Sequence, residues 1–484
     1  MTMLENFTIK SLLESYASKK ISKEEVFSAY LDRIEKHNQQ FNVFVNFDRE
    51  TSMQNFKDMQ FQEGQILNGI PYGLKDNFIH KDNFVTASSK LLEGFKPSFD
   101  AEVVSKLKKS GAVSLGMVNT DEFTCGASSE TSIYGPTLNP YDTTCVSGGS
   151  SGGSAALIPL DFGVFAMGTD TGGSIRQPAS FCNAVGLKVS YGRVSRSGVL
   201  SMASSLDSIG HLTKTVYDSA LVLNATAGLS KEDSTTFANQ IEDYTKFCGE
   251  DISGLRIGVP KEYMDDTVDV QVKEKVEAAI KVLESKGAVI KEVSLPMTKY
   301  GVAVYYIVNP SEVSTNMERY DSIRFGRRSK NEPKELLDIY LDSRSEGFGI
   351  EMKRRILVGS MVLSADSYES YYLKAQKVRT LIIEDFKKVF QEVDVLVGPV
   401  CPISPFKVGE KSQDPVTMYT VDALLTPSAL AGLCGISVPA GFNSDGLPIG
   451  LQIIAPHGCE DRLFKVGHKY EEETEFYKQT PDLG

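Results

Sequence analysis

Two glycine-serine segments near the middle of the chain limit what it can fold into more than any other feature. They are residues 147–154 (SGGSSGGS) and 171–174 (TGGS), and an apolar passage, 155–167, separates them. Glycine permits positive φ and lets a bound group approach backbone N–H groups, as a serine nucleophile beside an oxyanion-binding loop requires. A flexible linker has a similar composition, but a linker stays polar and joins separate blocks. We therefore interpret the two segments as paired loops of a hydrolytic site.

The composition of the 484-residue chain is that of a globular protein with a large core, since 41% of its residues are apolar. Its seven cysteines are scattered without a CxxC pair or a paired histidine spacing, so we expect neither disulfides nor a metal site. The sequence has no run of about 18 apolar residues, and residues 1–5 (MTMLE) do not begin a secretory leader. We therefore expect a soluble, cytoplasmic protein that is not associated with a membrane.

The formal net charge of −12 argues against this chain binding a nucleic acid by itself, because such binding depends on Lys and Arg neutralising phosphates. The sequence contains neither GxxxxGK[ST] nor GxGxxG, so ATP or dinucleotide binding has no support in it. We expect no cofactor in this chain. Any nucleic acid would need a partner to hold it.

The order of helix and strand patterns predicts a single α/β domain over residues 1–484, with a central mixed sheet covered by helices on both faces. We expect N-terminal helices in 1–65, a catalytic core in 70–245, a helical excursion in 300–390 and a return to the sheet in 391–484. The excursion ends in a long helix whose apolar side carries Val378, Leu381, Ile382, Phe386, Val389 and Phe390.

Lys75 ends a short apolar strand pattern in residues 67–77 (LNGIPYGLKDN). A lysine at such a position is often a solvated strand end. The alternative is a lysine desolvated among Ile70, Leu74 and Phe78, since burial disfavours the ammonium and leaves a neutral amine that can act as a base. Sequence propensity alone does not separate the two.

Residues 148–152 (GGSSG) satisfy G-x-S-x-G, the nucleophile-elbow pattern of the α/β-hydrolases. That elbow needs a buried strand leading directly into it, whereas residues 139–144 (NPYDTT) are turn-like. It also needs a downstream histidine, and His211, His457 and His468 are each more typical of structural or surface residues. A serine nucleophile without histidine needs another base, and Lys75 is the candidate.

Residues 149–156 (GSSGGSAA) and 168–178 (GTDTGGSIRQP) resemble the core signature of the amidase signature family, and 73–76 (GLKD) resembles its lysine segment. The resemblance covers essentially the whole chain. Within the family, further segments are similar to the A subunits of aspartyl/glutamyl-tRNA amidotransferases: 119–123 (NTDEF), 190–196 (SYGRVSR), 203–207 (ASSLD), 345–349 (SEGFG), 353–355 (KRR) and 371–376 (YYLKAQ).

The resemblance implies a Ser-cisSer-Lys amidase in which Ser174 is the nucleophile, Ser150 the bridging serine and Lys75 the base. These roles agree with the chemistry that the residues themselves favour. The resemblance also places an oxyanion site at the backbone of Thr171, Gly172 and Gly173, with the N–H of Ser174 beside it.

Glutamine is the substrate that the resemblance implies, and its α-ammonium and α-carboxylate need charged partners. The matching positions are Tyr305, Arg355 and Asp422, with Tyr306 as the alternative to Tyr305. Arg355 lies in a Lys-Arg-Arg run that is also typical of a solvated helix face, and Asp422 is also a candidate cap of the following helix.

The function that the resemblance implies is a glutaminase subunit of an ATP-dependent, heterotrimeric ligase that uses glutamine as amido donor. The ammonia would convert Asp-tRNA(Asn), Glu-tRNA(Gln) or both, a choice that the sequence leaves open. A partner B subunit would hold the mischarged tRNA and bind ATP and Mg, and a small C subunit would brace the pair. A stand-alone amide hydrolase of the same family is the alternative, and a non-catalytic scaffold is a third.

Overall fold

The computed structural model describes residues 6–81, 83–238, 243–412 and 414–483. The prediction about residues 1–5 therefore lies outside the described residues. The described strands form one mixed sheet in the order β1-β3-β2-β4-β6-β5-β10-β11-β9-β7-β8. The strands are β1 (Phe44–Val45), β2 (Pro71–Lys75), β3 (Val113–Val118), β4 (Phe165–Asp170), β5 (Val185–Lys188), β6 (Ser208–Thr213), β7 (Arg256–Pro260), β8 (Val289–Val293), β9 (Val395–Pro399), β10 (Cys434–Phe442) and β11 (Pro448–Ala455).

Helices flank this sheet, which confirms the predicted α/β class with a central mixed sheet. They are α1 (Ile9–Ala17), α2 (Lys23–Phe41), α3 (Arg49–Lys57), α4 (Glu102–Lys109), α5 (Gly152–Leu157), α6 (Arg176–Phe181), α7 (Val216–Thr226), α8 (Val270–Ser285), α9 (Gly301–Met317), α10 (Leu336–Gly347), α11 (Ile350–Val362), α12 (Lys374–Glu392), α13 (Pro415–Thr420), α14 (Thr426–Leu430) and α15 (Glu460–Thr474). The subdivision of the chain at residues 65, 70, 245, 300 and 390 stays a prediction.

Local sequence signals explain where several elements begin and end. The Ser22 side chain accepts a hydrogen bond from the N–H of Glu25, and the Glu25 carboxylate accepts one from the N–H of Ser22, which forms a capping box at the start of α2. The β10–β11 hairpin is antiparallel, and Asn443 closes its turn by accepting from the N–H groups of Asp445 and Leu447. These contacts satisfy backbone groups that would otherwise lack partners at the ends of the elements.

The long helix α12 shows one error in the predicted apolar side. Its buried residues are Ala375, Ile382, Phe386 and Val389, whereas Leu381 is 43% exposed. Neighbouring residues in a helix point about 100° apart, so a side chain next to Ile382 turns away from the face that Ile382 buries. The prediction for Leu381 is wrong.

The arrangement of β2 and β4 positions the site. β2 lies between β3 and β4 and runs parallel to both, so Lys75 at its end lies beside the last residues of β4. The second glycine-serine segment follows β4 directly at Thr171. Open parallel strands place functional groups at their carboxyl ends, where the following loops meet. Every residue of β2 and of β4 is buried.

Candidate active site

Lys75 is fully buried, and its ammonium nitrogen lies among three hydroxyl groups. The Nζ atom is 2.7 Å from Oγ of Ser150, 2.9 Å from Oγ of Ser151 and 2.9 Å from Oγ1 of Thr169. The alternative of a solvated strand end is therefore wrong, because β2 lies inside the sheet and directs this side chain toward the loops. The apolar residues that we expect around Lys75 are buried as well, namely Ile70, Leu74 and Phe78.

Burial lowers the pKa of Lys75 from its ordinary value to about 7, because the ammonium form loses its hydration. The carboxylates of Asp121, Asp170 and Asp207 favour the charged form and oppose this shift without cancelling it. A substantial fraction of the amine is therefore neutral near neutral pH. A neutral amine within hydrogen-bond distance of a serine hydroxyl has the geometry of a general base.

The Ser150 loop, residues 147–151, is buried throughout and is held by side chains, so it is not a linker. The peptide bond from Gly149 to Ser150 is cis. The N–H of Gly149 donates to Oε1 of Gln177 at 2.9 Å, and Nε2 of Gln177 donates to the carbonyl of Ala127 at 2.9 Å. Gln177 thus fixes the backbone next to Ser150 from the far side of the second loop.

The loop of residues 171–174, which we call the oxyanion loop for its predicted role, leaves a row of backbone donors unused. Among the described residues, none accepts a hydrogen bond from the N–H groups of Thr171, Gly172, Gly173 or Ser174. The carbonyl of Ser174 accepts from the N–H of Ser151 at 3.1 Å, which ties the two loops together. Free N–H groups beside a serine are the kind of donor that stabilisation of a tetrahedral oxyanion requires.

Ser174 itself is 5% exposed, and its hydroxyl makes no hydrogen bond with any described residue. The contact from Ser150 to Lys75 is therefore formed in this structure, and the contact from Ser174 to Ser150 is not. Hydrogen bonds between catalytic groups are often long before a substrate is bound and shorten in the complex. The catalytic roles of Lys75, Ser150 and Ser174 stay predictions.

Two buried carboxylates hold the oxyanion loop in place. The Asp170 carboxylate accepts hydrogen bonds from Nε of Arg176 at 3.0 Å and from Nη2 at 3.1 Å, and both side chains are fully buried. Asp207 accepts from Oγ1 of Thr171 at 2.7 Å. A buried carboxylate bonded at each end restricts the loop, so its free N–H groups keep a fixed direction.

Tyr305 and Asp422 lie against the oxyanion loop. A methyl group added at Gly172 would come within 2.6 Å of Cζ of Tyr305, and one added at Gly173 within 3.0 Å of Oδ1 of Asp422. Oδ1 of Asp422 is buried and has no hydrogen-bond partner among the described residues. The side chain does not cap α14, so that alternative is wrong. An unpaired buried carboxylate oxygen is costly and fits a site that receives a cation.

Arg355 is 4% exposed, so the alternative of a solvated helix face is wrong. Its Nε donates to Oε1 of Glu351 at 2.9 Å, and its Nη1 donates to Oδ1 of Asn309 at 2.9 Å. The guanidinium carbon lies 5.5 Å from the ring centroid of Tyr306 and 5.8 Å from that of Tyr419. The structure thus places Tyr305 at the oxyanion loop and Tyr306 beside the guanidinium.

A cavity of about 360 Å³ reaches this guanidinium from outside. Its lining includes Arg355, Tyr306, Tyr419, Ala127 and Ser128. Lys75, Ser150 and Ser174 are not among the lining residues, so the cavity lies at the guanidinium of Arg355 and not at the Lys75 cluster. Its mixed charged and aromatic lining suits a small polar molecule.

The three histidines that lie downstream of Ser150 are in ordinary structural settings. Burial lowers the pKa of His211 to about 3, and its Nε2 lies 2.8 Å from Oγ of Ser219. His457 lies on the surface, 3.0 Å from the carbonyl of Tyr191, and His468 pairs with Glu472 at 3.8 Å. The residues leading into Ser150 form isolated bridges and turns rather than a strand, so the nucleophile-elbow pattern at 148–152 does not describe the structure.

Sequence reasoning missed the parts played by Ser151, Thr169, Gln177 and Asn309. The first three lie inside the segments that carry the family resemblance, but only the pairing of β2 with β4 brings Thr169 to Lys75. Asn309 follows Tyr305 by four residues, and side chains at that spacing meet on one helical face. That spacing is the signal that could have found it.

Comparison with known proteins identifies the family of the chain. A family model described as Amidase matches residues 25–464. The chain is 47% identical to the A subunit of glutamyl-tRNA(Gln) amidotransferase from Oceanobacillus iheyensis over 482 residues, 99% of each chain. It superposes on the crystal structure of the protein of the same name from Thermotoga maritima with a TM-score of 0.83 at 35% identity, covering 99% and 98% of the two chains.

A more distant likeness concerns the fold alone. The structure of 6-aminohexanoate cyclic dimer hydrolase gives a TM-score of 0.87 at 23% identity, over 99% of both chains. The architecture is therefore shared by proteins whose sequences have diverged widely. The family model matches most of the chain and the relatives match its full length, so the chain belongs to the amidase signature family.

Proposed function

We propose that this chain is the glutaminase component of a tRNA-dependent amidotransferase, which hydrolyses glutamine to supply ammonia to its partners. The observation that carries the proposal is the buried amine of Lys75, 2.7 Å from Ser150 and close to a loop of unused N–H groups. Relatives of this length are named as the A subunit of glutamyl-tRNA(Gln) amidotransferase. That name favours Glu-tRNA(Gln) as the substrate that the complex amidates.

The mechanism follows from the order of the groups. Neutral Lys75 takes the proton of the Ser150 hydroxyl while Ser150 takes that of Ser174, and Oγ of Ser174 bonds to the side-chain amide carbon of glutamine. The N–H groups of residues 171–174 hold the oxyanion of the tetrahedral intermediate. When the carbon-nitrogen bond breaks, the relay runs backward and gives the nitrogen a proton, so ammonia leaves. Water then cleaves the ester at Ser174 and releases glutamate.

The substrate-binding residues divide between the two charges of glutamine. Asp422 receives the α-ammonium on its unpaired Oδ1, since burial raises the pKa of this carboxyl and a bound cation offsets that cost. Arg355 receives the α-carboxylate. Tyr305, whose pKa burial raises well above its ordinary value, stays a neutral phenol and donates a hydrogen bond.

The partners take the steps that this chain has no groups to perform. A B subunit binds ATP, Mg and the mischarged tRNA and receives the ammonia, and a C subunit braces the heterotrimer in the cytoplasm. The net charge of −12 suits a chain that leaves the nucleic acid to a partner. Among the described helices, none is long and apolar enough to cross a membrane.

Replacement of the nucleophile tests the proposal. Ser174→Ala in the complex that co-purifies with the chain should abolish glutamine-dependent amidation and leave ammonia-dependent amidation intact, because only ammonia production needs Oγ. Loss of both activities in a correctly assembled complex would contradict it. The stand-alone hydrolase alternative predicts instead that the purified chain alone turns over simple amides rapidly and that it co-purifies with no partner.

A further inference from the structure

Asn309 connects two residues that the proposed function assigns to glutamine. It lies in α9, one helical turn after Tyr305, and it is fully buried. Its Oδ1 accepts from Nη1 of Arg355 at 2.9 Å, and its Nδ2 lies 3.4 Å from the phenol oxygen of Tyr305. Among the described residues it is the only side chain that hydrogen-bonds to both.

The direction of the Asn309 amide follows from chemistry. A guanidinium carries only donors, so the atom facing Arg355 must be the amide oxygen. The amide nitrogen must then face Tyr305, and the phenol oxygen has to accept. The hydrogen of Tyr305 is left without a partner among the described residues, so it is free to donate to a bound molecule.

Two side chains fix the guanidinium of Arg355 by hydrogen bonds. Glu351 accepts a hydrogen bond from Nε and Asn309 accepts one from Nη1, while Nη2 has no hydrogen-bond partner among the described residues. The rings of Tyr306 and Tyr419 stack on each other and lie beside the guanidinium, 5.5 and 5.8 Å from its carbon. One free N–H edge therefore remains, and a carboxylate is the anion that fits such an edge.

We infer that Asn309 is a positioning residue that sets the free donors of Arg355 and Tyr305 for the α-carboxylate of the amino-acid substrate. This rests on the proposed function, and it adds a determinant of specificity that touches neither the substrate nor the reacting atoms. The ring of Tyr305 also lies against Gly172 in the oxyanion loop. A carboxylate placed by this pair therefore sets the distance of the amide group from Ser174.

The test uses two competitive inhibitors of the glutaminase reaction in the complete complex. 4-Carbamoylbutanoate keeps the carboxylate and lacks the α-ammonium, whereas 4-aminobutanamide keeps the ammonium and lacks the carboxylate. Asn309→Leu, which has a similar volume and no polar atoms, should raise the KM for glutamine and the Ki for 4-carbamoylbutanoate by about tenfold or more. The Ki for 4-aminobutanamide should stay within about twofold of wild type. Equal weakening of both inhibitors, or of neither, would overturn the inference.

A matched control and a second variant keep the test decisive. Asn316→Leu removes another buried amide from α9, one that bonds to Met202 and Ser204, and it should change neither Ki. If Asn309→Leu does not fold, Asn309→Asp decides. The aspartate side chain has the same shape and accepts a hydrogen bond from Arg355, but its charge repels a carboxylate. Asn309→Asp should therefore weaken the binding of 4-carbamoylbutanoate and leave that of 4-aminobutanamide unchanged. Unchanged binding of 4-carbamoylbutanoate in Asn309→Asp would overturn the inference.

Arg355→Met separates this inference from the proposed function. If Arg355→Met weakens the binding of 4-carbamoylbutanoate and the Asn309 variants do not, the positioning role of Asn309 is wrong and the assignment of Arg355 to the α-carboxylate stands. If Arg355→Met also leaves the Ki for 4-carbamoylbutanoate unchanged, the proposed binding of glutamine at this site is contradicted.

Discussion

Nζ of Lys75 lies 2.7 Å from Oγ of Ser150, and neither side chain reaches solvent. This contact joins the end of a central strand to a loop that lies far along the chain. In such a place an ammonium has lost its hydration, so the neutral amine is favoured although carboxylates lie nearby. The first two predictions test whether this amine works as a base.

Lys75→Arg should be as inactive as Lys75→Ala. Arginine keeps the positive charge, but its guanidinium stays protonated at any accessible pH and cannot accept the proton of Ser150. Both variants should lose about a hundredfold or more in glutaminase kcat. The measurement is glutaminase rate in complexes shown to be folded. Substantial activity in the arginine variant alone would make Lys75 an electrostatic anchor and end the relay through Ser150.

Glutaminase activity should rise with pH through a midpoint near 7, the pKa of Lys75. Below that value the amine is protonated and cannot act as a base, whereas above it the neutral form predominates, so the rate approaches a plateau. The measurement is kcat/KM for glutamine between about pH 6 and pH 9, because this parameter reports the free enzyme. A residual Lys75→Ala rate that shows the same inflection would assign the titration to another group.

Asp170→Asn should destabilise the protein strongly. Asp170 and Arg176 are paired at 3.0 Å with both side chains fully buried, and removal of one charge leaves the other unpaired. Such a loss costs about 3–5 kcal/mol of unfolding free energy. Denaturant titration measures it, with Asp32→Asn as the control.

The control pair joins Asp32 to Arg49 at 2.7 Å with side chains 68% and 34% exposed. Loss of a pair this exposed should cost about 1 kcal/mol or less. Equal effects of Asp170→Asn and Asp32→Asn would show that the buried pair does not hold the oxyanion loop.

Gly172→Ala should impair glutamine hydrolysis. The added methyl group would lie 2.6 Å from Cζ and 2.8 Å from the phenol oxygen of Tyr305, so either the ring or the oxyanion loop must move. A displacement of about 1 Å at a reacting centre costs roughly a hundredfold in rate. Gly435→Ala is the control, because its nearest neighbour would be at 3.4 Å, an ordinary contact. A normal kcat/KM in Gly172→Ala would mean that the close fit of Tyr305 against the loop is not needed.

Much of the fold and of the catalytic group follows from local patterns. The capping box at Ser22 and the β10–β11 hairpin depend on neighbouring residues, so the sequence alone predicts them. The glycines of residues 147–154 and 171–174 likewise mark loops whose backbone must come close to other groups. The resemblance of these segments to a family then indicates the reaction.

Other features were decided only by the tertiary structure. Whether Lys75 is solvated or buried depends on the position of β2 between β3 and β4, which no local pattern encodes. The same holds for Arg355, which lies in a charged run but is enclosed by Glu351 and Asn309.

The unpaired oxygen of Asp422 and the contact of Tyr305 with Gly172 are likewise products of how α9 and the turn before α14 pack near the oxyanion loop. The sequence by itself determined which chemical groups are available and which segments are loops. Burial, and with it the pKa of Lys75 and the partners of each charge, depends on residues distant along the chain, so only the folded arrangement decides it.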